Sequence, residues 1–162
     1  VPDGTDAARA FVFNRHAAAS DGTPRVGHGF VTGFGFDRGA VASTVAHDSH
    51  NLLVLGRDTA DMARAAERLH EIGGGMVAVD DGEVLAEVAL PVAGLMSDRP
   101  MAEVTDSVED LHQAWQDLGC TLESPFMTMS LLALPVIPER RLTTRGLVDT
   151  TTFEFVDPVR PA

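Results

Sequence analysis

Lysine and tyrosine do not occur among the 162 residues, and cysteine and tryptophan occur once each. Without lysine there is no Schiff-base chemistry and no lysine general base. The single thiol, Cys120, admits no intramolecular disulfide; it follows Gly119 rather than a base, reads as a structural thiol, and fits a reducing cytoplasm. No apolar run approaches the ~20 residues needed to cross a bilayer, and the opening VPDGTDAARA lacks the basic and apolar regions of a signal peptide. Positive charge is scarce too: twelve arginines stand against 24 acidic residues, a formal charge of −12. A surface of that sign repels nucleic-acid backbones and anionic membranes, so neither is an expected partner.

What is present is a globular composition of a length that makes one domain, expected over residues 1–162 with its core at about 11–155. With aromatics at 6%, aliphatic Val, Leu and Ala must fill the interior. Residues 10–16 (AFVFNRH) read as a strand, and AAASDGTPR after them as a loop. GHGFVTGFGFDRGAVASTVA reads as two strands joined at Asp37-Arg38-Gly39, and Asn51 to Leu55 as another. A helix starts at Asp58 to Asp61; Met62, Ala65, Ala66, Leu69 and Ile72 form its apolar face, with Asp61, Arg64, Glu67, Arg68 and Glu71 opposite. The run Gly73 to Gly75 ends it, and MVAVDDGEVLAEVAL is a hairpin turning at Asp81-Gly82. A second helix begins near Pro100, buries Val104, Val108, Leu111, Trp115 and Leu118, and stops at Gly119. SPFMTMSLLALPVIP reads as a core strand, and TFEFV as the last strand. The fold class expected is mixed α+β: one compact domain with a mainly antiparallel or mixed sheet and two main amphipathic helices.

Chemistry-bearing residues concentrate in His47-Asp48-Ser49-His50-Asn51. Imidazoles bind Zn, Mn or Fe, carboxylates complete such shells, and both move protons near neutral pH, so His47, Asp48 and His50 are candidates for catalysis and the two histidines for a metal. The competing reading is a surface loop in which Asp48 and Asn51 hold a turn by side chain to backbone bonds. Arg15 is able to clamp a carboxylate, and His16 or His28 to join the cluster if their strands are neighbours. His70 and His112 lie on helices away from the buried stripes and read as solvent-exposed. The run G-H-G-F-V-T-G-F-G has G-x-G-x-x-x-G spacing inside strand-like sequence, which is not the strand, turn and helix of a dinucleotide site. Gly73 to Gly75 follows a helix rather than opening one, and reads as a cap. One cysteine cannot supply the P-C-x-x-C of a cytidine-type zinc deaminase, and the chain is too short for a metallohydrolase barrel of ~250 residues.

Three long stretches in order, GFVTGFGFDRGAVASTVAHDSHNLLVLG, DMARAAERLHEIGGGMVAVDDGEVLAEVALPVAGLMSD and PFMTMSLLALPVIPERRLTTRGLVD, resemble the C-terminal domain of bacterial adenine deaminase, of the amidohydrolase superfamily. The resemblance runs from about Phe11 to Phe155. It implies an enzyme that hydrolyses adenine to hypoxanthine and ammonia with a metal-bound hydroxide (Mn, Fe or Zn) held in an N-terminal barrel. None of the barrel's ligand segments matches this chain, which alone would be inactive and would need the catalytic barrel, as domain or subunit, for its partner. The small-molecule substrate implied is adenine, the setting cytoplasmic, and the assembly homo-oligomeric. The family's A-H-D-S-H-N falls on Ala46 to Asn51, which implies a supporting role at the active site for His47, Asp48 and His50 and a substrate-binding role for Ser49 and Asn51. Arg15-His16 matches the family's Arg-His pair, with Asn14 where an acid is expected, and joins the substrate-binding candidates; His28 departs from the pattern. A stand-alone nucleobase- or metal-binding module, or an independent hydrolase using His47, Asp48 and His50, are the other readings open at this point.

Overall fold

Alternating buried and half-buried side chains mark the first strand, β1 (Ala8–Phe13), whose Ala8, Ala10 and Val12 enter the core while Phe11 and Phe13 face the other way. The structure is a computed structural model and describes residues 5–16, 22–23 and 25–158. Most of the loop expected at 17–25 lies outside the described residues. The strands β2 (Val26–Val31), β3 (Ala40–Ser43), β4 (Leu52–Gly56), β5 (Gly75–Asp80) and β6 (Glu83–Ala89) join β1 in a six-stranded sheet of order β2-β1-β4-β3-β5-β6. Every pairing is antiparallel, so the sheet expected to be mainly antiparallel or mixed is wholly antiparallel.

Helix α1 (Thr59–Glu71) covers one face. Asp58 caps it, its carboxylate accepting from the amides of Ala60 and Asp61 at 2.7 and 3.1 Å. Met62, Ala65 and Leu69 are buried on Ala42, Val54, Val77 and Val79. The expected polar face loses one member: Asp61 is buried and accepts from the amides of Gly82 and Asp81, fastening the helix to the β5–β6 turn. Two carboxylate oxygens close to a tight turn's amides outweigh the gain from solvation that a surface position would give. Arg68 forks onto Glu87 at 2.6 and 2.7 Å, across to β6.

The opposite face packs on α2 (Met101–Asp117) and α3 (Pro125–Leu131). Trp115, Leu111 and Leu118 of the predicted stripe are buried, and the indole sits among Phe34, Phe36 and Phe126 with ring centroids 6.3, 5.4 and 4.9 Å away. Here the sequence expectation needs correcting: the run from Ser124 is a short helix, not a core strand. Pro125 occupies its first turn, where no amide donor is required, and the buried Pro125, Met129, Ser130 and Ala133 recur at helical spacing. The prolines at 135 and 138 follow its end, as their effect on a helix demands.

The tail also holds more than the single strand expected. Strands β7 (Arg140–Thr143), β8 (Gly146–Asp149) and β9 (Glu154–Val156) form a second antiparallel sheet. It lies against β2, and glycine is what lets it approach: a Cβ built on Gly27 would stand 1.7 Å from the carbonyl oxygen of Thr143, whereas one on Gly29 would meet only the Leu142 side chain at 3.7 Å. Cys120 is buried, and burial pushes its thiol pKa up, in keeping with a structural role.

These contacts set an unequal pair of expectations for neighbouring strand glycines. Gly27→Ala should cost about 3 kcal/mol or more in denaturant unfolding because backbone of the second sheet must move, while Gly29→Ala should stay within about 1 kcal/mol of the parent. Equal effects would mean that the second sheet does not rest on β2 in this way.

Candidate functional site

Antiparallel order brings several loops to one end of the six-stranded sheet: the exit of β1 (Asn14 to His16), the β3–β4 loop (Thr44 to Asn51), the turn before β5 (Gly73, Gly74) and the segment after β6 (Leu90 to Arg99). The pentad His47 to Asn51 is therefore held by residues far away in sequence.

Its backbone is unusual. Asp48 and His50 have positive φ, 61° and 44°, and the Ser49 and His50 amides donate to the carbonyls of His47 and Ala46 at 2.9 and 2.7 Å. Left-handed backbone at residues with side chains costs of order 1–3 kcal/mol each, and it persists only where surroundings hold it. Those surroundings are identifiable. The Arg15 guanidinium donates from Nε to the His50 carbonyl (2.5 Å) and from Nη2 to the Ala93 carbonyl (2.8 Å), and the Arg15 amide donates to Asn51 Oδ1 at 3.4 Å. His50 Nδ1 accepts from the Ala46 amide at 3.3 Å, which places that ring's proton on Nε2. His16 Nε2 lies 2.8 Å from the Ser49 carbonyl, and since a carbonyl only accepts, Nε2 carries the donated proton.

A second knot lies underneath. The buried Thr44 hydroxyl donates to the Gly94 carbonyl at 2.7 Å and accepts from the Gly75 amide at 2.8 Å. It thus joins β3, the start of β5 and the Ala93-Gly94 turn, both of whose residues have positive φ (59° and 73°). Gly94 presses on the guanidinium of Arg15: a Cβ there would sit 3.0 Å from Nη1 and Nη2.

The candidates divide by what their side chains do. Arg15, His16, His50, Ser49 and Asn51 are brought together, but Arg15, His16, His50 and Asn51 spend polar atoms on backbone. His47 points to α3, with Nε2 3.3 Å from Met127 Sδ. Asp48 and Ser49 are exposed. His28 stays on the outer face of β2 beside Phe11, at 6.2 Å between rings, and does not join the cluster. His112 meets Gln116 along its own helix at 3.1 Å. His70 is exposed and borders a cleft of about 220 Å³ with Arg15 and Thr44.

As a metal centre the pentad fits poorly. His50 Nδ1 is occupied by a backbone amide, His47 is turned to a thioether, and among the described residues no three His, Cys, Asp or Glu side chains are grouped to hold an ion. Arg15 is partly buried, and desolvation lowers its pKa. Sequence reasoning missed Thr44, the Ala93-Gly94 turn and Met127. Nothing local marks Thr44 or Met127 as site residues; the Ala-Gly pair between Val92 and Leu95 does carry a local turn signal.

Nearly the whole chain is similar to known proteins of one family. The sequence profile of the adenine deaminase C-terminal domain matches residues 1–154. The adenine deaminase of Moorella thermoacetica is 61% identical over 152 residues, 94% of this chain and 25% of that protein. That of Clostridium botulinum (strain Langeland) is 57% identical over 151 residues, 93% of this chain and 24% of the relative. That of Roseobacter denitrificans is 55% identical over 152 residues, again 93% of this chain and 25% of the relative. The chain spans about a quarter of the length of these curated relatives.

The two knots make separable predictions. Thr44→Val, which leaves the buried Gly75 amide without its acceptor, should destabilise by about 1–3 kcal/mol in chemical unfolding, and Thr44→Ser should recover most of that. In Arg15→Met, hydrogen exchange should quicken at least about tenfold in segments 46–51 and 91–96 while β3 to β5 hold their protection. Unchanged exchange in both segments would remove Arg15 from its positioning role.

Proposed function

The chain belongs to the adenine deaminase C-terminal domain family, and from that premise we propose that it serves an adenine deaminase as the part that shapes the substrate site, while the rest of the enzyme carries out hydrolysis. The reaction is adenine and water to hypoxanthine and ammonia. One observation carries the reading: the pentad is locked by backbone bonds into a strained conformation that leaves Asp48 and Ser49 exposed and His47 against Met127, yet among the described residues no three His, Cys, Asp or Glu side chains are grouped to hold a metal. Strain held in this way is a mark of a site whose side chains must be presented in one arrangement.

In this role Asp48 supplies a carboxylate acceptor for purine N–H groups and Ser49 a hydroxyl that both donates and accepts, matching the alternating edge of a purine. His47 closes the apolar side with Met127. His50, Asn51, Arg15 and His16 are positioning residues, because their polar atoms are committed to backbone. The metal of such an enzyme belongs, in this proposal, to the polypeptide that the relatives have and the match does not cover; the donor set of the pentad does not suit one, and no step is assigned to it here. The partner is accordingly the catalytic portion of the enzyme, on the same chain or a separate one.

The test exchanges this chain for the matching quarter of the Moorella thermoacetica enzyme and follows ammonia release from adenine. The chimaera should turn over and the 162-residue chain alone should not. Asp48→Asn and His47→Ala in the chimaera should each lower kcat/KM by at least about tenfold. Ordinary turnover by the chain alone, or full activity in both variants, would overturn the proposal.

A further inference from the structure

The cleft at the foot of the pentad has a chemistry that the role above does not use. It measures about 220 Å³ and is lined by Arg15, His70, Thr44, Leu52, Leu69 and the Gly73-Gly74 turn, with no acidic side chain among them. The chain as a whole carries a net charge of −12. A depression at the other end of the sheet, bounded by Asp37, Asp58, Asp61, Asp80 and Asp81, illustrates the contrast. Arg38, Arg64, Arg68, Arg99 and Arg140 each pair with a carboxylate. Among the described residues Arg15 has none, and its guanidinium, like those of Arg9 and Arg57, donates to carbonyl oxygens.

Those two bonds use one edge of the planar guanidinium, Nε with Nη2. The Nη1 and Nη2 end edge has no acceptor among the described residues beyond the Ala93 carbonyl shared with Nη2, and a parallel pair of N–H groups matches two oxygens of one anion. Gly94 lies against the guanidinium, where a Cβ would stand only 3.0 Å from Nη1 and Nη2. His70, in the last turn of α1, supplies a second nitrogen donor at the rim. The Thr44 hydroxyl is already committed to Gly94 and Gly75, so Arg15 and His70 are the groups free to receive a ligand. Leucines 52 and 69 and Ala66 make the remaining wall apolar, which suits a small anion with a short hydrocarbon part or a compact inorganic one.

We infer that this cleft is a binding site for a small oxyanion, gripped by the Nη edge of Arg15 and by His70. The inference is independent of the deaminase assignment, since neither a purine nor a catalytic partner enters it. Partial burial that disfavours the bare guanidinium charge adds to the gain from a bound anion.

The experiment titrates the chain with sodium acetate, with inorganic phosphate and with sodium chloride at matched ionic strength, observing the Arg15 Nε–Hε signal and the Gly73 and Gly74 amides by NMR. A saturable shift with acetate or phosphate, absent with chloride, is expected, and the tighter of the two identifies a planar or a tetrahedral ligand. Arg15→Gln should weaken binding by about tenfold or more. Because that change also loosens the pentad, His70→Gln, an exposed position, provides the second variant and should weaken binding at least about threefold with an unchanged melting temperature. Linear shifts equal to those in chloride, or unaltered saturation in both variants, would overturn the inference.

Discussion

Everything at the end of the sheet that carries His47 to Asn51 depends on Arg15 holding two chain segments at once. One fork of N–H groups spans from the His50 carbonyl in the β3–β4 loop to the Ala93 carbonyl after β6, segments that are separated by β4, α1, β5 and β6 in sequence. The side chain of Asn51 accepts from the same residue's amide, so the exit of β1 is fixed to the loop on both sides. Thr44 repeats the device one layer deeper. A lysine at position 15 would place one ammonium between two carbonyls; the planar fork satisfies both along a fixed direction and therefore sets the distance between the loops. Sheet order makes this possible, because β1 lies beside β4 and β3 beside β5, so the ends of these strands open on a common surface.

The parts of this architecture that were legible in the sequence are those whose signals are local. Asp58 before an apolar stripe of period 3.6, three glycines after it, and Asp81-Gly82 between alternating runs specify α1 and the β5–β6 hairpin within short windows, and the structure follows them closely. Helix α2 was readable for the same reason: Leu111, Trp115 and Leu118 mark one face and Gly119 ends it. Residues 124–138 were not, because a run rich in Met, Leu and Ala has apolar residues on nearly every position and periodicity loses its contrast. The deciding feature was Pro125, which reads as a breaker from one side and as a helix opener from the other. Asp61 failed differently. Its burial depends on amides twenty residues away, and a polar residue on an amphipathic helix gives no sign of such a partner.

The candidate site divides along the same line. That His47 to Asn51 is a special segment was readable from composition and from likeness to a family, but which histidine presents itself and which one supports was not. His47 and His50 are the same residue type three positions apart, and their different surroundings come from φ at His50, from the Ala46 amide and from a methionine eighty residues away. Arg15 and His16 were readable as neighbours of the cluster, and backbone carbonyls are what join them to it.

The strained loop carries one more implication. Glycine takes positive φ without penalty and would relieve the backbone at positions 48 and 50, at the expense of a wider range of loop conformations. Instead an aspartate and a histidine stand there, and the anchors at Arg15, Asn51 and Ala46 offset the strain. At position 50 the reason is visible, since the ring itself accepts from the Ala46 amide and keeps the turn closed. At position 48 the carboxylate is exposed. Asp tolerates left-handed backbone better than most residues, so the strain there is moderate, and the feature gained is an acceptor aimed out of a fixed frame. Glycine at 48 would relieve what strain remains and would take that charge off the surface.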